Sequence, residues 1–438
     1  MVNLEFTKII RDPLLGYVHL TENEIKLLDT PVFQRLRRIK QLANTDLVYP
    51  GAVHTRFEHS LGVLETAYRI AERIPSIRNN LDKIKQIRYA ALLHDIGHGP
   101  YSHVFEDIVA RITRDSKFKH ELISREILQV DDDIRSIVGS DIDGVLDLLT
   151  STQKNRVEYG IISGPLDADK LDYLRRDSYH AGVAYGVFDA TRVLYTLKEI
   201  KRKILGSEES YLGVDMKGRE AVIGMLLAYY YMHETVYGHK TRRIADTMLV
   251  RSVELAVKEQ YIDSNLFSFR SGDKDFIESF KLLDDRSLLD MLLEKSKGVA
   301  KDIAFRLENR NLFKAVFGKD LKIFDPVKRN YFQRINIDET KKLEEQIGEH
   351  LKIDPSYVIV DRQSISNPLY REPGSIPRAE LILLQDKDEQ PIDLSEVPSP
   401  ISGKEMKSVE RLWVFVPVQN DSERKKIEEK LYDFLSTW

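Results

Sequence analysis

The feature that most constrains this chain is the stretch Leu92-Leu93-His94-Asp95-Ile96-Gly97-His98-Gly99-Pro100-Tyr101-Ser102-His103. An apolar run suited to a buried helix ends in the adjacent pair His94 and Asp95, and two glycines and a proline then stop the helix. Three imidazoles and a carboxylate around a helix end are costly to bury unless they bind something. The stretch therefore predicts a fold that places further ligands and a substrate pocket around His94 and Asp95.

Composition narrows the class of protein and its chemistry. A chain of 438 residues exceeds one typical domain and favours two or three. With 66 basic and 70 acidic residues the net charge is −4, which indicates no general attraction to nucleic acid. Cysteine is absent, so metal ligands must be histidines and carboxylates. Neither a signal-peptide pattern nor an apolar stretch of membrane-spanning length is seen, and we expect a cytoplasmic protein with no membrane partner.

Apolar residues recur at helical spacing through most of the chain, as far as about Phe317. Helices are expected at about residues 31–42, 56–74, 81–96 and 218–260. Strands, marked by β-branched and aromatic residues, are expected at 357–360, 379–384 and 412–416. The pattern predicts a mainly α fold, with a helical domain over residues 1–317 and a smaller α+β lobe over residues 318–438.

Histidine is concentrated in one part of the chain, since six of the 11 histidines lie between His54 and His120. Imidazoles and carboxylates together form the ligand set of divalent first-row metals. His59, on one predicted helix, reaches His94 and Asp95 only if two helices pack side by side. Asp169, which follows a Gly-Pro break, is the natural candidate for a fourth ligand. In the alternative interpretation, the His-Asp pair merely caps a helix.

Three motifs, taken in order, resemble one family of metal enzymes. They are Arg56-Phe57-Glu58-His59-Ser60-Leu61-Gly62, the stretch His94 to His103, and Asp167-Ala168-Asp169-Lys170-Leu171-Asp172-Tyr173. The set resembles the HD-domain metal phosphohydrolases, and within them the deoxynucleoside triphosphate triphosphohydrolases, including the eukaryotic enzyme that carries SAM and HD domains. The resemblance covers about Lys8 to Lys314.

The resemblance implies that the protein hydrolyses dNTPs, with dGTP a candidate for the preferred one, to a deoxynucleoside and inorganic triphosphate. It implies one divalent ion per subunit (Mn, Fe, Ni, Zn, Mg or Co), which lowers the pKa of bound water and offsets phosphate charge. The implied metal ligands are His59, His94, Asp95 and Asp169. The implied catalytic residues are His98, the expected general acid for the 5′ oxygen, together with Glu106, His120 and Glu121. Glu106 stands where a relative has Asp.

Further matches imply how the nucleotide is held. The implied substrate-binding residues are Gln41, Arg56, His103, Lys170, Tyr173, Asp177 and Tyr237. Arginine and lysine suit several phosphate oxygens at once, and Tyr237 would leave no space for a 2′ hydroxyl. One departure is Tyr229, which stands where the family has an arginine that helps to hold the triphosphate.

Another set of matches implies an allosteric nucleotide site at subunit junctions, occupied by an activating GTP or dNTP. Its residues are Lys8, Asp29, Gln34, Arg37, Arg310 and Lys314. Such a site implies a homo-oligomer, in particular a homotetramer. Asp29 equally suits a helix cap, and Arg37 a solvated helix face. Arg11 replaces a smaller polar residue of the family at a second nucleotide slot.

Two other functions stay open at this point. One is a different HD phosphohydrolase that acts on nucleoside monophosphates or other phosphate esters. The other is a nucleotide or nucleic-acid binder without enzymatic activity, with a vestigial metal site, although every expected metal ligand is present. The C-terminal lobe has no chemistry that its sequence makes recognisable.

Overall fold

The computed structural model describes residues 4–150, 156–204, 207–365, 382–386, 390–396 and 409–437. The predicted fold class is confirmed, because helices dominate these ranges and the C-terminal part combines strands with helices. No helix in the described ranges is both long enough and apolar enough to cross a membrane.

The chain begins with a hairpin of β1 (Lys8–Asp12) and β2 (Gly16–Leu20). The next helices are α1 (Glu22–Leu28), α2 (Pro31–Gln34), α3 (Arg56–Ala71), α4 (Leu81–Leu93), α5 (His103–Thr113), α6 (His120–Val130), α7 (Asp132–Val138) and α8 (Ile142–Thr150). They are followed by α9 (Val157–Ser163), α10 (Ala168–Ala181), α11 (Ala190–Thr196) and the antiparallel strands β3 (Leu197–Ile204) and β4 (Ser207–Asp215).

A π-helical turn, His233–Tyr237, separates α12 (Arg219–Met232) from α13 (Lys240–Lys258) within the predicted segment 218–260. The helical part ends with α14 (Lys274–Phe280), α15 (Asp285–Lys295) and α16 (Gly298–Glu308). The remaining elements are β5 (Lys314–Asp320), α17 (Pro326–Arg334), α18 (Ile337–Leu351), β6 (Ile359–Ile365), β7 (Leu383–Gln385), β8 (Ile392–Asp393), β9 (Val409–Val416) and α19 (Asp421–Thr437).

Helix α3 carries His59 and is buried along most of its length, with α4 and α10 packed against it. Its start is defined by Glu58, whose carboxylate accepts a hydrogen bond from the backbone N–H of Thr55 at 3.0 Å. The N-cap of helix α10 is Asp167, whose side chain accepts from the backbone N–H of Lys170. The side-by-side packing that the metal hypothesis requires is therefore present.

The helix expected over residues 31–42 is wrong in its second half. Helix α2 ends at Gln34, a 3₁₀ turn covers Arg35–Arg38, and the backbone then becomes extended. Lys40 pairs with Thr55 in an isolated antiparallel bridge. The backbone pairing of Lys40 with Thr55 thus overrides the helical preference of this segment, because the periodicity of apolar residues reflects only local spacing.

The C-terminal part has its own apolar core, built from β5, β6, β9 and the helices α17 to α19. Helical spacing to about Phe317 is a wrong expectation, since α16 ends at Glu308 and β5 starts at Lys314. Strand β7 pairs in parallel with β4 and so returns the chain to the helical part. Of the strand expected at 379–384, residues 379–381 lie outside the described residues. The domain division at 317/318 stays a prediction.

Candidate active site

The predicted metal ligands converge from three helices. Nε2 of His59, in α3, lies 3.5 Å from Oδ2 of Asp95 and 3.1 Å from Oδ1 of Asp169. His94 ends α4, and its Nε2 lies 3.3 Å from Oδ1 of Asp95 and 3.9 Å from Oδ1 of Asp169. The structure thus brings together all four residues, although Asp169 is 74 positions after Asp95 by their numbers.

Both imidazoles are oriented by hydrogen bonds from Nδ1. Nδ1 of His59 donates to Oδ2 of Asp172 at 2.9 Å, and Nδ1 of His94 donates to the carbonyl of Ala91 at 2.8 Å. In the neutral form of each ring Nε2 then carries the lone pair, and neither Nε2 makes a hydrogen bond of acceptable geometry with any described residue. Two buried ring nitrogens and a carboxylate oxygen of Asp95, all within 4.8 Å of one another, fit a divalent metal ion.

The charges around this cluster favour a cation at its centre. Burial alone would lower the pKa of His59, but Asp169 and Asp172 outweigh it and raise this pKa to about 10. Burial would raise the pKa of Asp95, yet Arg56, with Nη1 at 2.5 Å from Oδ2, lowers it well below its usual range. Ionised carboxylates therefore face Nε2 of His59.

The contact of Asp172 with His59 is itself held in place by Arg176. Nε and Nη2 of Arg176 donate to the two oxygens of Asp172 at 2.7 and 2.8 Å, and Nη1 lies 2.9 Å from Oδ2 of Asp12. Neither Asp172 nor Arg176 is predicted from the sequence to have a role of its own. Their spacing of four on α10, one turn beyond Asp169, is the signal that could have indicated one.

Glu106 anchors a second cluster of imidazoles. Its Oε1 accepts from Nδ1 of His103 at 3.1 Å and from Nδ1 of His120 at 2.8 Å, and its Oε2 accepts from Nζ of Lys119 at 2.7 Å. Burial opposes ionisation here, but the two histidines lower the pKa of Glu106 strongly. Glu106 therefore orients His103 and His120, and its direct partners do not include His98.

His98 lies between the two clusters. Its ring stacks on His120 with centroids 3.5 Å apart, and its Nε2 is 3.2 Å from Oδ1 of Asp95. Burial, and then the nearby Arg56 and His120, lower the pKa of His98 well below its usual range. Nη2 of the buried Arg35 donates to the carbonyl of His98 at 2.6 Å and holds the loop that carries it.

A cavity of about 480 Å³ opens beside these clusters. The metal and catalytic candidates in its wall are His94, Asp95, His98, His120, Glu121 and Asp169. All the predicted substrate-binding residues also line it, namely Gln41, Arg56, His103, Lys170, Tyr173, Asp177 and Tyr237. His59 and Glu106 are not in the lining and contact the wall residues from behind.

One side of the cavity combines an aromatic ring with acceptors. The hydroxyl of Tyr237 donates to Oδ2 of Asp177 at 2.6 Å, and Nε2 of His54 lies 2.8 Å from its Oδ1. Oε1 of Gln41 is buried and has no hydrogen-bond partner among the described residues. A polar ligand group that enters here meets fixed partners and one unsatisfied acceptor.

Tyr229, the departure noted in the sequence, forms part of the cavity wall with His233. Their rings stack with centroids 3.9 Å apart and planes inclined by 28°. Lys170, an expected phosphate ligand, forms an ion pair with Asp167, the N-cap residue of α10. Asp167 and Arg242 also line the cavity and were not identified from the sequence.

The predicted allosteric residues fall into separate groups in this single chain. Oε1 of Gln34 accepts from Nε of Arg37 at 2.9 Å, and the Arg37 guanidinium lies 3.5 Å over the Phe57 ring. Asp29 is the C-cap of α1, while the N-cap of α2 is Thr30. Asp29 therefore does lie at a helix cap, at the C-terminal end of α1 and not at the start of α2.

The other allosteric candidates lie on the surface. Lys8 and Lys314 are exposed at the starts of β1 and β5. Nε of Arg310 donates to the carbonyl of Leu47 at 2.9 Å. Within the described part of the chain, no hydrogen bond or ion pair joins Arg310 or Lys314 to the group around Gln34.

Two family models match the chain: the HD domain over residues 56–142 and the HD associated region over residues 189–374. A Bacillus subtilis protein, the uncharacterized protein YwfO, is 32% identical over 91% of this chain and 90% of its own length. The chain belongs to the HD-domain phosphohydrolase family. The resemblance expected from the motifs is thereby confirmed.

Two further comparisons agree with this family assignment. The human deoxynucleoside triphosphate triphosphohydrolase SAMHD1 is 29% identical over 72% of this chain, which spans 56% of the length of that protein. A phosphohydrolase of known structure from Bacteroides thetaiotaomicron matches with a TM-score of 0.73 and 26% identity, over 94% of this chain and 100% of the other. In this HD-domain protein, Asp169 lies between the two matched regions, and only the packing of α10 brings it to His59.

Proposed function

We propose that this protein is a metal-dependent triphosphohydrolase that converts dNTPs to a deoxynucleoside and inorganic triphosphate. The observation that carries the proposal is one cavity whose wall joins the metal-ligand cluster to Arg56 and Lys170, and also to Asp177 and Tyr237. The cationic side chains of Arg56 and Lys170 suit a chain of phosphates, and the polar groups of Asp177 and Tyr237 suit the hydroxyls of a sugar. A nucleoside polyphosphate needs both in one site.

The metal would be held by His59, His94, Asp95 and Asp169. Mn, Fe, Ni, Zn, Mg and Co all suit this mixed set of nitrogen and oxygen ligands. When bound, a divalent ion supplies a water of lowered pKa and offsets the charge of the phosphates. Asp172 maintains the tautomer of His59 that leaves Nε2 free for this role.

The phosphates would meet guanidinium and ammonium groups whose positions are already set. Nη1 of Arg56 donates to Asp95, and its Nε donates to Oγ of Ser102 at 3.0 Å. The fixed guanidinium places positive charge beside the metal cluster, where the α phosphate is attacked. Lys170 extends the positive charge along the cavity wall toward the departing triphosphate.

Cleavage breaks the bond between the α phosphorus and the 5′ oxygen, while a water oxygen bonds to phosphorus and releases one proton, which restores in net terms the proton that the 5′ oxygen takes up. The departing 5′ oxygen takes a proton from His98, which lies 3.2 Å from Asp95 at the cluster. The pKa of His98 is low in the free protein, which disfavours the imidazolium that must donate this proton. The negative triphosphate, once bound, would stabilise the imidazolium and so raise the pKa. His120 stacks on the ring and limits its movement.

The sugar would lie against Gln41, Asp177 and Tyr237. The unsatisfied Oε1 of Gln41 accepts the 3′ hydroxyl, and Asp177, held by Tyr237, offers a second polar contact. The Tyr237 ring occupies the space that a 2′ hydroxyl would require. Selectivity for deoxynucleotides then follows from a steric wall combined with polar groups that must be satisfied.

The decisive experiment is incubation of the purified protein with each dNTP and each divalent metal in turn, followed by chromatography of the products. We expect deoxynucleoside and triphosphate from the parent and from Asp115→Asn, an exposed control, and none from Asp95→Asn. If a folded parent releases no deoxynucleoside with any metal, with or without GTP, the proposal is wrong.

Tyr229 favours a second candidate, hydrolysis of nucleoside monophosphates. Its ring, stacked on His233, presents an aromatic surface where the family uses a guanidinium for the triphosphate. Such an enzyme would release inorganic phosphate from dNMPs and leave dNTPs intact. The same chromatographic experiment with dNMPs separates the two candidates.

We also propose that GTP or a dNTP activates the enzyme at the allosteric residues of a homotetramer. Asp29, Arg37, Arg310 and Lys314 are exposed and so available to a nucleotide between subunits. Sedimentation with and without GTP tests this. A chain that stays monomeric, with a rate that GTP does not change, would exclude such regulation.

A further inference from the structure

Arg242 is a guanidinium fixed in the cavity wall. Its Nη1 donates to the backbone carbonyl of Tyr237 at 2.6 Å, and its Nε lies 3.0 Å from Oδ2 of Asp246. The other oxygen of Asp246 accepts from Nδ2 of Asn44 at 2.9 Å. The side chain of Arg242 is only 16% exposed. One hydrogen bond, to Tyr237, and one ion pair, to Asp246, therefore hold the guanidinium in the wall.

The donors of Arg242 are not all used by these anchors. Arginine has five N–H groups and accepts no hydrogen bond. Nη1 is the atom that donates to Tyr237, while neither Nε nor Nη2 makes a hydrogen bond of acceptable geometry with a described residue. The Nη edge of Arg242 can therefore donate to a ligand in the cavity, where Leu42 and Tyr237 provide apolar and aromatic surface.

The position of Arg242 relative to the two ends of a nucleotide follows from its bonding partners. It is bonded to Tyr237, which in turn bonds Asp177 in the proposed sugar site. The phosphate-binding candidate Arg56 is bonded instead to Asp95 in the metal cluster. Arg242 is thus joined to the proposed sugar site, and its hydrogen bond and ion pair involve none of the proposed metal ligands, which fits a contact with the base better than a contact with the phosphates.

We propose that Arg242 selects the nucleobase and favours a base edge with two adjacent acceptors, guanine in the first place. Guanine presents O6 and N7 to a guanidinium, whereas adenine presents N7 beside the donor amino group at N6. Cytosine, with O2 and N3, is the other base with an adjacent pair. This inference rests on the proposed function, because it requires a nucleotide in the cavity.

The test compares kcat/KM for dGTP, 7-deaza-dGTP, dATP and dCTP in the parent, Arg242→Gln and Arg242→Lys. We expect the parent to prefer dGTP over dATP by roughly tenfold or more, the discrimination of a good bidentate arginine–guanine pair. The preference should disappear in Arg242→Gln and for 7-deaza-dGTP, which lacks the N7 acceptor. Arg242→Lys keeps the charge without the planar fork and should recover little of it.

Lys258→Gln, which removes an exposed cation from the far end of the same helix, is the matched control and should keep the parent preference. A preference for dCTP that Arg242→Gln abolishes would assign the same recognition to cytosine. An equal loss of kcat/KM for all four nucleotides would show a role in phosphate binding and overturn the inference.

Failure of the proposed function would look different, since the parent would then hydrolyse no dNTP. In that case, calorimetric titration of parent and Arg242→Gln with dGTP and dATP still tests Arg242. Equal affinities of the parent for the two nucleotides would exclude base selection by this residue.

Discussion

Nδ1 of His59 and Oδ2 of Asp172 lie 2.9 Å apart, and this hydrogen bond decides which ring nitrogen of His59 faces the other proposed metal ligands. Asp172 can act only as an acceptor in its ionised form, and Arg176 lowers its pKa in spite of its burial. The proton therefore stays on Nδ1, and Nε2 faces Asp95 and Asp169. Asp172 thus sets the orientation of His59 without being one of the proposed metal ligands itself.

We expect Asp172→Asn to weaken binding of a divalent metal by about 10- to 100-fold, because the neutral amide orients the imidazole less strongly. Metal content after dialysis against a graded chelator measures the effect. Asp143→Asn removes an exposed carboxylate and should leave metal binding unchanged. Parent-like metal affinity in a folded Asp172→Asn protein would contradict this role.

We expect Glu106→Gln to lower kcat about 100-fold, with a smaller change in KM, because His103 and His120 lose the charge that orients them. Glu106→Asp keeps the charge but moves it away from the histidines by one methylene group, so its kcat should lie between those of the parent and Glu106→Gln. Steady-state kinetics with a dNTP supply the measurement. A Gln variant as fast as the parent would show that these hydrogen bonds serve folding alone.

Tyr237 allows the steric and polar parts of sugar selection to be separated. Tyr237→Ala opens space for a 2′ hydroxyl, and we expect the ratio of kcat/KM for GTP to that for dGTP to rise on the order of tenfold. Tyr237→Phe retains the ring and loses only the hydrogen bond to Asp177, so the ratio should stay close to that of the parent. A larger rise for Phe than for Ala would refute the steric explanation.

Burial raises the pKa of Asp285 to about 6, although backbone N–H groups of Tyr101 and Lys40 donate to it at 2.5 and 2.9 Å. The folded state therefore binds this proton more tightly than the unfolded state, where the pKa is about 3.9. The resulting stabilisation is complete below about pH 4 and is lost as the pH rises through about 6.

Asp285→Asn should remove that dependence on pH. We expect the free energy of unfolding of the parent, relative to the variant, to fall by about 2 kcal/mol between pH 4 and pH 7. Urea denaturation across this range measures the difference, and Asp275→Asn is an exposed control. A difference between parent and Asp285→Asn that is the same at pH 4 and pH 7 would contradict the raised pKa.

The sequence alone was sufficient for elements whose causes are local. Helical spacing placed α3 and α4, the glycines after His94 ended the second of these helices, and the break before Asp167 marked the start of α10. Strand composition likewise indicated β6 and β9 within the C-terminal part. These signals act over a few residues, so they can be detected without the fold.

By itself, the sequence determined the ligand types, the helices that carry them and the mainly α class. Only the tertiary structure decided that Arg56 pairs with Asp95, that Lys40 leaves the helix to pair with Thr55, and that Arg242 joins the cavity wall. Each of these contacts depends on packing between segments far apart in the chain. Hydrophobic periodicity and capping residues reflect interactions between residues a few positions apart. They carry no information on which distant segment will pack against a given helix or loop.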